Sequence, residues 1–147
     1  MQAKDVMKKE VISVNPETEV KTIAKLLYDN NISGVPVVDK ENKLLGIVSE
    51  TDLISKVSGP HLPPHIELLG GIIYLARPHE IEEELKKIVS ITAGEIMSKD
   101  IVSVTEDAEV EDIAALMIER KVNRIPVLKD KKLVGIITRH DLISVIM

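Results

Sequence analysis

The apolar positions along the chain follow helical spacing in some segments and strand-like runs in others. One early segment repeats its apolar residues at i, i+3, i+4 and i+7, the spacing of one helix face: Val20, Ile23, Ala24 and Leu27. Short β-branched runs at 11–14, 34–38 and 44–49 predict strands, and residues 50–58 predict a closing helix. The predicted order of elements is therefore β-α-β-β-α.

The same order returns later in the chain. Residues 5–40 align with 95–130 and residues 43–57 align with 132–146, and 19 of the 51 aligned pairs are identical. Unrelated segments would share roughly three, so the chain is an internal duplication. A single copy of about 50 residues would bury too little surface to be securely stable alone. We therefore expect an α/β (α+β) protein in which two repeats pack sheet to sheet about a pseudo-twofold axis.

The two copies are separated by a segment of different character. We expect residues 1–58 to form the first repeat, 59–92 a linker with a helical insert, and 93–147 the second repeat. The insert opens with a Pro-rich extended linker and continues with an apolar stretch, 66–75, that is interrupted by two glycines. Its last part, 79–91, is charged and predicts a helix. The apolar stretch is open to three interpretations: packing over the core, a ligand lid or a partner surface.

Composition narrows the classes of function. Ile, Val and Leu make up 51 of the 147 residues, the aromatic residues are Tyr28 and Tyr74, and Cys is absent. The lack of Cys excludes disulfides, thiolate nucleophiles and Cys-based zinc sites. A net charge of −5 without a basic tract argues against nucleic-acid binding. A helix that crosses a bilayer needs about 20 apolar residues, and every apolar run in this sequence is much shorter. We therefore expect a cytoplasmic protein with neither nucleic acid nor membrane as a partner.

The best candidate for chemistry is a matched motif, Gly-apolar-apolar-Ser/Thr-x-x-Asp, at 46–52 and 135–141. Each copy lies where a predicted strand meets the closing helix. Ser/Thr-x-x-Asp is close to a helix capping box, which is a purely structural interpretation. The alternative is a nucleoside monophosphate site, because helix-start amides attract phosphate and a carboxylate accepts hydrogen bonds from a sugar diol. The motif alone leaves both interpretations open.

Metal binding and catalysis have weaker support. His61 and His65 are four residues apart, but the intervening prolines at 63–64 prevent a regular helix, so solvated loop histidines are favoured over a metal site. Asp52 and Asp141 belong to separate copies of the duplication and cannot form a working acid–base dyad. We therefore expect no metal site and no enzymatic activity.

Three features carry a resemblance to a known family: the duplicated β-α-β-β-α unit, the Val-Pro-Val-Val and Ile-Pro-Val-Leu strands at 35–38 and 125–128, and the two motifs that end in Asp. On these features the repeat resembles a cystathionine-β-synthase-type (CBS) domain. Two such domains in tandem resemble a Bateman module. The resemblance implies a regulatory sensor that binds AMP, ADP, ATP or S-adenosylmethionine, requires no further cofactor, forms a homodimer and acts on a separate partner that the sequence does not identify. The alternative is a structural or dimerisation module with vestigial ligand clefts.

The resemblance also implies two clefts that combine residues of both copies. In each, the terminal Asp would hold the ribose hydroxyls, the Ser/Thr would contact ribose or phosphate, and the opposite copy would supply the adenine slot. One cleft would join Ile47, Ser49 and Asp52 with Val102, Val122, Asn123 and Arg124. The other would join Ile136, Thr138 and Asp141 with Ile12, Ile32 and Ser33. Because Gly34 replaces Arg124 in the first copy, we expect the Asp52 cleft to bind a phosphorylated ligand more tightly.

Overall fold

The structure, a computed structural model, describes residues 1–58, 65–68, 71–74, 82–83, 86–87 and 90–147. Its helices are α1 (Ala3–Val6), α2 (Val20–Asn30), α3 (Glu50–Ser58), α4 (Ala93–Ile96), α5 (Val110–Glu119) and α6 (Arg139–Ile146). Its strands are β1 (Gly34–Val38), β2 (Leu44–Ser49), β3 (His65–Leu68), β4 (Gly71–Tyr74), β5 (Val104–Thr105), β6 (Arg124–Lys129) and β7 (Lys132–Thr138). The mixed α/β class predicted from the sequence is confirmed.

The long helix of each repeat buries the face that its apolar spacing predicts. In α2 the buried residues are Val20, Ile23 and Leu27. In α5 they are the aligned Val110, Ile113 and Met117. The first of these helices ends at Asn31, which adopts a left-handed conformation with φ 51°. Asn tolerates that conformation, and its amide closes the last turn of the helix by donating to helix carbonyls.

The first predicted strand of each repeat is shorter than expected. In repeat one it is reduced to a single parallel bridge between Val14 and Val37. In repeat two it is β5, which pairs in parallel with β6. The chain leaves the sheet early because a turn starts at once: the amide of Glu17 donates to the Asn15 side chain at 3.0 Å. Strands β6 and β7 form the antiparallel hairpin that the sequence predicts, with Arg124 opposite Thr138.

The chain divides into two compact units that do not coincide with the two sequence copies. The first unit contains residues 1–13, 38–46 and 98–147, and the second contains 14–37 and 47–97. Helix α1 therefore lies in the unit of the second copy, and α4 lies in the unit of the first. Each of these helices belongs to a segment that precedes the first strand of its repeat, residues 1–8 and 91–97, which we call the leader. Leader segments are exchanged between the repeats.

Backbone hydrogen bonds at aligned positions hold each exchanged leader. In the first unit they run from Ala3 N to Ala108 O (2.8 Å) and from Val110 N to Met1 O (2.9 Å). In the second unit they run from Ala93 N to Thr18 O (2.8 Å) and from Val20 N to Ile91 O (2.7 Å). Every donor and acceptor of one set lies 90 residues from its counterpart in the other, so the duplication extends to the packing of the leader.

Each unit has an aliphatic core. In the first unit the buried cluster is Ala3, Ile113, Met117, Ile125, Val127 and Ile137. In the second unit the buried apolar residues include Val14, Val20, Ile23, Leu27, Val35, Val37, Val48 and Ala93. Interiors of this kind are stabilised by about 25 cal/mol per Å² of apolar area removed from water, which is how a chain without Phe or Trp builds its cores.

The insert contains a strand pair in its first half. Strands β3 and β4 are antiparallel, with His65 opposite Tyr74 and Leu68 opposite Gly71. The predicted extended linker at 59–64 lies outside the described residues. The predicted helix at 79–91 lies largely outside them too. Its described positions 82–83 and 86–87 are helical, whereas position 90 is in a turn and position 91 is outside any helix, so the helix does not extend to 91 as predicted.

Candidate ligand site at the duplicated strand–helix corners

In the second unit, Ser49 ends β2 and Asp52 lies in the first turn of α3. The Ser49 amide donates to Oδ2 of Asp52 at 2.7 Å, and the Ser49 hydroxyl donates to the same oxygen at 3.0 Å. In return, the Asp52 amide donates to Oγ of Ser49 at 3.4 Å. The first residues of the helix and the last residue of the strand therefore hold each other in a capping box.

The first unit repeats this geometry at Thr138 and Asp141. The Thr138 amide and hydroxyl donate to Oδ2 of Asp141 at 2.8 and 2.7 Å, and the Asp141 amide donates to the Thr138 hydroxyl at 3.3 Å. The capping interpretation of the motif is confirmed at both corners. Each carboxylate is thus oriented through one oxygen, Oδ2. Its second oxygen, Oδ1, takes no part in the capping box.

The second oxygens of the two carboxylates differ. Oδ1 of Asp141 lies 3.3 Å from Nζ of Lys8. For Oδ1 of Asp52, the described part of the chain supplies neither a hydrogen-bond donor nor an ion-pair partner. The two corners therefore share one capping geometry but present different acceptors to a ligand.

Asp141 is the buried acidic group of the first unit's corner, with 10% of its side chain exposed. Burial raises its pKa, but hydrogen bonds from the Thr138 hydroxyl and amide, together with the charge of Lys8, hold the pKa below its ordinary value. The group is therefore an anion at neutral pH and an acceptor for hydroxyl donors.

The leader segment places Lys8 at this corner. The Lys8 amide donates to the Ile136 carbonyl at 2.9 Å, and the Ile136 amide donates back to the Lys8 carbonyl at 3.0 Å. Next to it, a Cβ on Gly135 would lie 2.8 Å from Cγ of Met7, so the glycine of the motif permits the close approach of the leader. Sequence reasoning missed Lys8; the available signal was its alignment with the neutral Ser98.

The residues just before the Val-Pro strand of repeat one and the Ile-Pro strand of repeat two lie beside the corner of their own repeat. The Glu50 amide donates to the Ser33 carbonyl at 2.9 Å, and the Arg139 amide donates to the Asn123 carbonyl at 3.1 Å. Arg124 is paired directly opposite Thr138 in the β6–β7 ladder, so the two side chains share one face of the hairpin.

The predicted site residues are distributed over both units. The second unit holds Ile32, Ser33, Ile47, Ser49 and Asp52. The first unit holds Ile12, Val102, Val122, Asn123, Arg124, Ile136, Thr138 and Asp141. The structure brings together each Ser/Thr with its Asp, and each pre-proline segment with the adjacent corner. The combination of the two sets in shared clefts stays a prediction.

A separate groove of about 640 Å³ lies between α2 and α3 in the second unit. It is lined by Ala24, Leu27, Tyr28, Asn31, Ile32, Glu50, Leu53 and Ile54. Tyr28 is 88% exposed and Ile54 is 64% exposed, and the aligned residues of the first unit, Ile118 and Ile143, are 77% and 58% exposed. Both repeats therefore present apolar residues to solvent at the same two helix positions.

The described residues include neither a membrane-spanning helix nor a cluster of metal ligands. Among them, no helix combines the length and apolarity needed to span a bilayer, and no group of three or more His, Cys, Asp or Glu is arranged to hold a metal ion. Of the two histidines that are four residues apart, His61 lies outside the described residues and His65 is described by its backbone in β3.

Comparison with known proteins gives one family. The family model described as the CBS domain matches residues 3–59 and 93–147. An uncharacterised protein of Methanocaldococcus jannaschii is 31% identical, over 100% of this chain and 92% of that protein. The chloroplastic CBS domain-containing protein CBSX1 of Arabidopsis thaliana is 32% identical, over 92% of this chain and 59% of that protein.

Among solved structures, a crystal structure of CBSX2 in complex with AMP is similar to this chain. It superposes with a TM-score of 0.75 at 26% identity, covering 99% of this chain and 95% of that one. The likeness extends over both repeats and is not confined to one of them.

Proposed function

This chain belongs to the CBS domain family as a tandem pair, and on that premise we propose that it is a regulatory module, without catalysis of its own, that binds an adenosine ligand through Asp52 and Asp141. The ligand class is AMP, ADP, ATP or S-adenosylmethionine. The similar structure of CBSX2, which contains AMP, supports this class. The regulated partner is a separate protein whose activity responds when ligand shifts the population of the module's conformations.

One observation carries the proposal: the capping hydrogen bonds involve only one oxygen, Oδ2, of each carboxylate. Oδ2 of Asp52 and of Asp141 accepts from the adjacent Ser or Thr, which fixes the orientation of the carboxylate in advance. The remaining oxygen, Oδ1, then has a fixed direction in which to accept the hydroxyls of a ribose; at Asp141 it is also paired with Lys8. Preorganisation of this kind reduces the entropy lost on binding, so the capping box and the ligand site support one another.

The same geometry argues against nucleophilic catalysis by the corner hydroxyl. The Thr138 hydroxyl donates to Oδ2 of Asp141. That oxygen also accepts a hydrogen bond from the Thr138 amide, which makes it a weaker base for removing the hydroxyl proton. General acid–base work needs a group whose pKa lies near the operating pH, whereas the pKa of Asp141 is lowered. Binding without turnover is the activity that the Asp141 corner supports.

The adenine contacts remain a prediction of the family resemblance. Aliphatic side chains such as Ile12, Ile47, Val102 and Ile136 are proposed to enclose the base, in keeping with cores built without Phe or Trp. Burying the apolar faces of a purine against such residues contributes about 25 cal/mol per Å².

Calorimetric titration with AMP, ADP, ATP and S-adenosylmethionine tests the proposal. We expect heat of binding for at least one ligand in the native protein. Asp52→Asn and Asp141→Asn should each weaken it, because a hydrogen bond to a charged acceptor contributes about 1.5–3 kcal/mol. Asp29→Asn is the matched control, since that carboxylate is paired with Lys25 on the surface of α2.

Thermal unfolding distinguishes the structural alternative. Ligand at about 100 times its dissociation constant adds about 2.7 kcal/mol to the free energy of unfolding and raises the midpoint temperature. If none of the four ligands raises the midpoint or releases heat, the clefts are vestigial and the module is structural.

We also propose that the protein forms a homodimer through the exposed apolar helix positions. Tyr28, Ile54, Ile118 and Ile143 occupy two aligned pairs of positions, as expected for a surface that the duplication has retained. Tyr28→Glu should shift the mass measured by light scattering towards the monomer. Thr22→Glu, on a different face of the same helix, is the control; equal masses for the two variants would contradict the proposal.

A further inference from the structure

We infer that Lys8 makes the Asp141 corner selective for phosphorylated adenosine ligands. The inference rests on the proposed function and adds to it a residue that determines specificity. It starts from the ion pair between Nζ of Lys8 and Oδ1 of Asp141, 3.3 Å apart. That oxygen is the acceptor which capping leaves for a ribose.

An unphosphorylated ligand has to compete with Lys8. Its ribose hydroxyls would share Oδ1 with the ammonium or displace it. The carboxylate is largely buried, so water cannot take the place of the ammonium, and loss of the ion pair costs binding free energy. A phosphorylated ligand changes this balance, because its phosphate offers the displaced ammonium a new anionic partner. The ion pair therefore acts against adenosine more than against AMP.

The backbone and the side chain of Lys8 suit this exchange in different ways. The backbone is fixed by its two hydrogen bonds with Ile136. The side chain is 60% exposed, and its flexible four-carbon stem can carry the charge from the carboxylate to a nearby phosphate. A fixed base with a mobile charge allows the ammonium to change partner without a change of fold.

Comparison of the two copies shows that positive charge has accumulated at one corner. In the first unit the corner carries Arg124 opposite Thr138 in the hairpin, and Arg139 as the first residue of α6. The residues aligned with Lys8, Arg124 and Arg139 are Ser98, Gly34 and Glu50. Three cations thus correspond to two neutral residues and one acid, so phosphate preference is expected at Asp141. This differs from the sequence-based expectation, which gave that preference to the Asp52 cleft.

The test compares AMP with adenosine in a protein that carries Asp52→Asn, so that binding reports on the Asp141 corner. Lys8→Ser, which introduces the residue of the aligned copy, should weaken AMP by about tenfold or more and leave adenosine unchanged or tighter. The ratio of the two affinities should fall accordingly. Lys9→Ser is the control, because Lys9 is exposed and is a lysine in both copies; it should leave the ratio unchanged.

Failure of this inference and failure of the proposed function give different results. If the native protein binds none of AMP, ADP, ATP, S-adenosylmethionine and adenosine, the proposed function is wrong. If it binds S-adenosylmethionine or adenosine but none of the phosphorylated ligands, the inference is overturned while the proposed function stands. If it binds AMP and Lys8→Ser leaves the ratio of affinities unchanged, the inference is overturned while the proposed function stands. Should Asp52→Asn impair folding, NMR of the Lys8 side chain in the native protein replaces it. AMP should shift the Lys8 side-chain signals more than adenosine does, because AMP supplies a phosphate partner as well as ribose hydroxyls; equal shifts would overturn the inference.

Discussion

Oδ2 of Asp141 accepts two hydrogen bonds from Thr138, one from the amide at 2.8 Å and one from the hydroxyl at 2.7 Å. This pairing starts helix α6 and at the same time sets the direction of the carboxylate. Stability and ligand binding therefore depend on the same few atoms. Substitutions at the corners need to be measured for both properties before a loss of binding is assigned to the ligand.

The pH dependence of stability should contain a contribution from Asp141. Its pKa is lowered in the folded protein, so near that pKa the unfolded chain binds more protons than the folded one. The contribution is present above the unfolded pKa and is lost as the pH falls through the folded pKa. Urea unfolding between about pH 7 and about pH 3 should show a shallower loss for Asp141→Asn than for the native protein. Parallel curves would rule out this role.

The capping hydroxyls should stabilise both repeats by similar amounts. Ser49→Ala and Thr138→Ala each remove the acceptor for the Asp amide and a donor to Oδ2. The expected loss is about 0.5–2 kcal/mol in the free energy of unfolding. Ser49→Thr and Thr138→Ser exchange the residues of the two copies and should retain most of it. A loss as large in these exchanges as in the alanine variants would show that packing, not capping, is responsible.

Gly135 should resist substitution because the leader packs against it. A Cβ at this position would lie 2.8 Å from Cγ and 3.1 Å from Cβ of Met7. Gly135→Ala is expected to cost about 1–3 kcal/mol through overpacking. Met7→Ala makes room, so the double variant should lose less stability than the sum of the two single variants. Additive losses in this double-mutant cycle would place the strain elsewhere.

Asn42 should combine a conformational and a hydrogen-bonding contribution. Its φ is 64°, and its Nδ2 donates to the Leu133 carbonyl at 2.8 Å. Asn42→Ala loses the hydrogen bond, about 0.5–1.5 kcal/mol, and adds the cost of a left-handed residue, about 1–2 kcal/mol. Asn42→Gly loses chiefly the hydrogen bond, so it should be the more stable variant in urea unfolding. The reverse order would show that the turn does not require a left-handed residue.

Local features of this protein were predictable from the sequence. The helix face of Val20, Ile23 and Leu27 follows from apolar spacing alone. The capping box follows from a Ser or Thr three residues before an Asp. The duplication itself was readable because aligned positions keep the same residue types. The first two signals lie within a few residues of the structure that they specify. The duplication is a pattern that recurs at a fixed separation along the sequence.

Tertiary structure decided the features that join distant segments. The exchange of α1 and α4 between the repeats, and the ion pair of Lys8 with Asp141, join residues that are far apart in the chain. Spacing and propensity report only on neighbours along the chain, and Lys8 looks like any solvated lysine until the leader is packed against β7. The sequence by itself determined the repeats and their two carboxylate corners. Folding decided which corner has a cation beside it, because the leader that delivers Lys8 packs on the sister repeat and not on its own.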